Sequence, residues 1–203
     1  MILVGYWSSP FARRVGVTMK LLDIPFEHRP WASSHGAALR AVNPVGRVPA
    51  LILDDGETLI DSTMILDYVD ELAGPERALT SPRGPARRRV NRLVALAVGA
   101  CEKYVAAYYE RSKRPAEKVH QPWLDQLEGQ VATALQALDA EAALAAPWLL
   151  GERVTQADVT TACAVLSMRY DLAHLVPPGR YPNLDALVDR ADALPAFRET
   201  VPT

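Results

Sequence analysis

Residues 47–65, RVPALILDDGETLIDSTMI, decide the fold. Two strand-like runs, Ala50 to Leu53 and Glu57 to Ile60, flank Asp54-Asp55-Gly56, and Asp-Gly supplies the positive φ that a tight hairpin needs. The second run ends at Asp61-Ser62, a helix-start pair, and Ile65, Tyr68, Val69 and Leu72 then recur on one helical face. Upstream, Ile2 to Gly5 reads as a strand, and Phe11 to Leu22 as a helix carrying Val15, Met19 and Leu22 at helical spacing. Phe26 to Arg29 reads as a second strand, and Ser33 to Val42 as a second helix that Asn43 and Pro44 break. The order is βαβαββα within the first 80 residues, a compact α/β unit.

Downstream of this unit, Gly74 to Pro85 (GPERALTSPRGP) carries five Gly or Pro residues and no periodicity, the mark of a linker. Beyond it every signal is helical. Val90, Val94, Ala97, Cys101, Tyr104 and Tyr108 form the inner stripe of a helix of about six or seven turns. Leu124, Leu127, Val131, Leu135 and Leu138 define a second, antiparallel to it across a short connection at Arg114-Pro115. Thr155 and Asp158 have the spacing of a capping box ahead of Val159, Ala162, Cys163, Leu166 and Tyr170. Shorter helices near Asn183 to Arg190 and Pro195 to Thr200 complete an all-α region. The expected division is an α/β domain at 1–77, a linker at 78–85 and an all-α domain at 86–203.

Composition narrows the possible functions. The 203 residues are 49% apolar and 23% charged with a net charge of −2, the makeup of a globular chain and not of a polycation that coats nucleic acid. The longest apolar run, Leu93 to Cys101, is half of what a membrane-spanning helix needs. The N-terminus lacks the basic start of a secretory signal, which gives a cytoplasmic expectation. Cys101 and Cys163 match no disulfide framework or zinc spacing and read as buried thiols. His28, His35, His120 and His174 show no paired ligand spacing, so no metal is assigned, and Arg87 to Arg89 read as a solvated helix face.

Three places in the first domain carry chemistry. Ser9-Pro10 suits the cap and first position of a helix, where a hydroxyl and free N–H groups favour an anion such as a thiolate; an ordinary cap explains the same residues. Val48-Pro49 precedes the hairpin. An X-Pro bond is cis in only about 5–6% of cases, so the residues alone give a trans bond, whereas a cis bond would offer the Val48 main chain to an extended peptide. Asp61-Ser62, with Ser62 as helix cap, offers a carboxylate for an ammonium group and helix N–H groups for a carboxylate, or is a plain helix start. Taken together, a thiolate site, a peptide-pairing edge and an amino-acid clamp describe a receptor for a cysteine-containing peptide.

The segments VGYWSSPFARRVGV, NPVGRVPAL, LIDSTMILDYVDE and GERVTQAD, in this order and spacing, resemble the cytosolic glutathione transferases over essentially the whole chain. Trp7 to Arg14 is similar to the tau class and its bacterial relatives. The resemblance implies a thioredoxin-like first domain followed by an all-helical one, with glutathione as co-substrate. It implies Ser9 as the hydroxyl that stabilises the glutathione thiolate, with Ser8 as its rival, and a Val48 main chain pairing with the cysteinyl unit before a cis Pro49. Arg47 would meet the glycyl carboxylate, and Asp61 and Ser62 the γ-glutamyl end, although the family commonly has Glu or Gln where Asp61 stands. Thiol exchange is disfavoured because Ser9 stands where omega-type relatives carry Cys. A hydrophobic electrophile pocket between the domains would use Trp7, Phe11, Tyr104 and Tyr108, the two tyrosines reading equally as core. The implied function is conjugation of glutathione to small hydrophobic electrophiles, in a detoxifying, cytoplasmic homodimer. The alternatives are a glutathione-dependent isomerase or dehalogenase, or a non-catalytic binding protein on the same scaffold.

Overall fold

A computed structural model describes residues 1–31, 35–145 and 147–202. The chain forms two compact units, one of residues 1–84 with 192–202 and one of residues 85–191.

In the first unit, strands β1 (Ile2–Val4), β2 (Glu27–Arg29), β3 (Ala50–Ile52) and β4 (Thr58–Ile60) form one sheet in the order β2-β1-β3-β4. β1 is parallel to β2 and antiparallel to β3, and β3 pairs antiparallel with β4 across the Asp54–Gly56 turn. Helices α1 (Pro10–Leu21), α2 (Gly36–Val42) and α3 (Ser62–Ala73) complete the βαβαββα order. Alternation along β1 explains the layers. Leu3 faces α1, while Val4 clusters with Ala50 and with Leu39 of α2 on the other side of the sheet. α1 and α3 pack together, burying Val15, Met19, Ile65 and Val69. The second helix begins at Gly36; Ser33 and Ser34, its expected start, lie outside the described residues. After α3, Asp70 accepts the Leu79 and Thr80 N–H groups at 2.8 and 3.1 Å, which pins the start of the linker.

The second unit contains α4 (Gly84–Lys113), α5 (Gln121–Ala142), α6 (Gln156–Asp171) and α7 (Pro182–Asp192). α4 is longer than its apolar stripe suggests, because its first turns are polar and exposed and only from Val90 onward does it bury a face. Arg92 meets Glu141 and Arg111 meets Glu128, both at 2.6 Å, and these crossed pairings make α4 and α5 antiparallel. α6 starts with a capping box. Asp158 accepts the Thr155 N–H at 2.8 Å and also the buried Leu149 N–H at 2.7 Å, so one carboxylate fixes both the helix start and the preceding loop. Both cysteines are free and buried, Cys101 on α4 and Cys163 on α6. The last helix, α8 (Pro195–Arg198), follows the helical region in sequence but packs on α1 of the first unit. Phe197 is buried there, and its carbonyl accepts from the buried Arg13 at 3.3 Å.

Partial burial opposes the charge on Glu128, but hydrogen bonds from Arg111 and His174 outweigh it and hold this carboxyl below the usual glutamate value of 4.5. A depressed carboxyl stabilises the fold above its unfolded pKa and loses that contribution as pH falls through the folded one. Glu128→Gln is therefore expected to lower stability near neutrality and to flatten the loss of stability below about pH 4.5, read from urea midpoints at successive pH values.

Candidate functional site

Ser9 is the N-cap of α1, with Pro10 at the first helical position. Its backbone is extended (φ −74°, ψ 117°), and its Oγ accepts the Ala12 N–H at a long 3.4 Å. Ser9 is buried and Ser8 half-buried. The Ser9 N–H closes the preceding turn onto the Tyr6 carbonyl at 3.1 Å. The hydroxyl hydrogen, not required by the cap, remains available to an acceptor at the helix N-terminus, where the free N–H groups favour negative charge.

The second helix start departs from the sequence expectation. The cap of α3 is Asp61, whose Oδ1 accepts the Thr63 N–H at 2.7 Å, and not Ser62, which is the first helical residue. The reason is conformational: Asp61 adopts φ 67°, which turns the chain sharply into the helix and places its short carboxylate over the first turn. Ser62 is buried, and its Oγ accepts from Arg14 Nε at 3.1 Å. The same guanidinium donates through Nη2 to Thr63 Oγ1 at 2.9 Å. Arg14 thus ties the two helix starts together. Its position beside Arg13, just ahead of the apolar run Val15 to Val17, is the only signal for it in the sequence, since buried arginines are rare unless partnered.

The Val48-Pro49 bond is cis, as the resemblance implies and contrary to the trans bond that the residues alone give. Val48 N–H and C=O have no backbone partner among the described residues. Asn43, read from sequence only as a breaker, is buried and shapes this loop: its side chain donates to the Arg47 carbonyl at 2.7 Å and accepts the Val45 N–H at 3.0 Å. The Arg47 side chain is exposed. Gly5 brings these parts close. A Cβ there would lie 2.7 Å from Ala12 Cβ and 3.3 Å from Val48 Cβ, at a φ of 150°, so only glycine lets the first turn of α1 and the cis-proline loop approach this way.

The four aromatic residues expected around an electrophile have separate settings. Trp7 is buried, stacked on His28 with centroids 3.7 Å apart, and it fills the space where Gly16 lacks a side chain. Phe11 is half-buried on the first turn of α1. In the helical unit Tyr104 is fully buried, its hydroxyl 3.4 Å from Asp171 Oδ2, and burial pushes its pKa well above the ordinary tyrosine value. Tyr108 is half-buried against Tyr109.

Comparison with known proteins agrees with this architecture. Residues 3–77 match the glutathione S-transferase N-terminal domain and residues 121–190 the glutathione S-transferase C-terminal domain. The chain is 31% identical to the maleylacetoacetate isomerase of Pseudomonas aeruginosa, with all of this chain and 96% of that protein covered. It is equally 31% identical to the uncharacterized GST-like protein YibF of Escherichia coli K12, covering all of this chain and 98% of the relative. Among solved structures, a glutathione S-transferase from Methylobacillus flagellatus with GSH bound superposes with a TM-score of 0.92 at 28% identity, over all of this chain and 99% of that one. The chain belongs to the glutathione S-transferase family, with its thioredoxin-like N-terminal and helical C-terminal domains.

Arg14→Lys tests the tie between the two helix starts. One ammonium cannot span Ser62 Oγ and Thr63 Oγ1 as the planar fork does, so a loss of about 1–3 kcal/mol is expected in urea unfolding.

Proposed function

We propose that the protein is a glutathione transferase in which Ser9 stabilises the thiolate of bound glutathione for attack on a small hydrophobic electrophile. The observation that carries this reading is the Ser9 cap: a buried hydroxyl at a helix N-terminus whose first turn meets, at Gly5, the Val48 loop, where the Val48 main chain has no backbone partner among the described residues. An ordinary thiol has a pKa of about 8.5 and is mostly protonated at neutral pH. A hydroxyl donor together with a helix N-terminus is expected to lower it by about two units, each worth roughly 1.4 kcal/mol. The Val48 N–H and C=O pair with the cysteinyl unit of glutathione, Arg47 meets its glycyl carboxylate, and Ser62 with Asp61 takes the γ-glutamyl end. Because the Asp61 carboxylate already accepts the Thr63 N–H, Ser62 and the first N–H groups of α3 carry more of that contact. On this unit Phe11, half-buried on the first turn of α1 two residues from Ser9, is the aromatic side chain offered to the electrophile. With an activated aryl halide the thiolate sulfur forms the new carbon–sulfur bond and the halide departs with the bonding pair.

A second reading has its own support. A relative covered over nearly its full length is a maleylacetoacetate isomerase, and isomerisation uses the same thiolate: it adds to a carbon–carbon double bond, the single bond so created rotates, and the thiolate leaves. Glutathione is then not consumed. Incubation with an activated aryl halide and, separately, with a cis-configured conjugated dicarboxylate separates the two by whether glutathione disappears.

Ser9→Ala is expected to retain the fold, at a cost of about 1 kcal/mol for the lost cap, and to remain bound on immobilised glutathione. Its turnover should fall by about a hundredfold, the order associated with removing one well-placed stabilising donor; wild-type turnover would overturn the assignment of Ser9.

We also infer a cytoplasmic, detoxifying homodimer. Among the described residues no helix is long and apolar enough to cross a membrane. Met64 and Leu72 are exposed on α3 with half-buried Tyr68 midway between them, an apolar stripe that exposed Ile60 at the end of β4 adjoins in sequence and that a second copy would cover. Met64→Glu combined with Leu72→Glu should convert the dimer to monomer in sedimentation velocity without altering the helical circular dichroism.

A further inference from the structure

The turn that presents Ser9 runs from Gly5 to Ser9, and the Ser9 hydroxyl is only loosely held by its own contact, the 3.4 Å bond to the Ala12 N–H. Its aim is set by the backbone around it. That backbone is gripped from β2. The Gly5 N–H donates to the Arg29 carbonyl at 2.9 Å, and the Gly5 carbonyl lies 2.7 Å from His28 Nε2. A carbonyl only accepts, so Nε2 carries a hydrogen, which fixes the tautomer of this ring when it is neutral. The imidazole also lies flat on Trp7, centroids 3.7 Å apart and planes 14° from parallel, while the indole closes against Gly16 of α1. His28 therefore holds the turn at two points, Gly5 and Trp7, the second only two residues before Ser9. The register Leu3 to His28 in the sheet places it to do so.

We propose that His28 is a positioning residue for the thiolate site, fixing the Gly5–Ser9 turn so that the Ser9 hydroxyl points at sulfur. This rests on the reading of Ser9 given above. Sulfur is a weak acceptor and hydrogen bonds weaken steeply when the donor is misaligned, so what this one contributes depends on how well the donor is held. The ring acts through Gly5 and Trp7 and takes no part in bond making.

The test compares the pKa of the thiol of bound glutathione, read from thiolate ultraviolet absorbance against pH, in the wild type, Ser9→Ala, His28→Phe and His28→Gln. Phe keeps an aromatic face for Trp7 but loses the donor to Gly5; the terminal amide nitrogen of Gln stands near the place of Nε2 and restores it. His28→Phe should raise the bound thiol pKa by about half to one unit, toward the Ser9→Ala value. Its kcat should fall by about tenfold, consistent with the sensitivity of catalysis to small misplacements, while the glutathione KM, set by Val48 and Ser62, stays within about twofold. His28→Gln should recover most of the pKa. If His28→Phe does not fold, His28→Asn, whose amide falls short of Gly5, replaces it with the same expected displacement. A wild-type thiol pKa in a folded Phe or Asn variant, with Ser9→Ala displaced, overturns the role of His28 alone. A wild-type value in Ser9→Ala overturns the role of Ser9, and that of His28 with it.

Discussion

The guanidinium of Arg14 holds the first unit in the form its chemistry requires. It sits fully buried one turn into α1 and divides its donors between Ser62 Oγ and Thr63 Oγ1 at the start of α3. Charged donors to neutral hydroxyls contribute roughly 1.5–3 kcal/mol each when they are well made, enough to offset part of the cost of burying the ion. The geometric result matters more than the energy. Two helix N-termini, each with its partial positive charge, are fastened to one cation at one end of the sheet. The Asp61 carboxylate in the same place is engaged with the Thr63 N–H. The positive potential is local, and a net charge of −2 spread over the chain gives no hint of it.

The order of elements was legible because periodicity and turn chemistry agree in this chain. Asp55-Gly56 marks the hairpin that β3 and β4 form, Gly74 stands just past the last turn of α3, and Thr155 with Asp158 opens α6. Helix lengths were less legible, as the polar first turns of α4 show. The N-cap of α3 was misplaced by one residue because Asp and Ser are both good caps, and only the positive φ of Asp61 decides between them.

The site was legible as a set of residue types and not as a set of contacts. Ser9-Pro10 announces a helix start, but the roles of Arg14 and His28 come from long-range geometry: a buried fork to α3 and a ring stacked on Trp7. Local pattern has no access to partners that are distant in sequence. His28 illustrates this best. A lone histidine in a three-residue strand carries no periodic signal, and its significance appears only when β2 is laid beside β1.

The first unit is assembled from two stretches of chain separated by the whole helical unit. Residues 192–202 pack on α1, where the Phe197 ring lies beneath the Arg13 guanidinium and its carbonyl accepts from it, and where Glu199 meets Lys20. During synthesis these residues emerge only after the entire helical unit. Until then a nascent chain holding all of β1 to α3 still lacks the cover for one flank of α1, and the Arg13 guanidinium lacks its only hydrogen-bond partner among the described residues. Completion of the unit that bears Ser9 is in this way deferred until the helical unit has been synthesised.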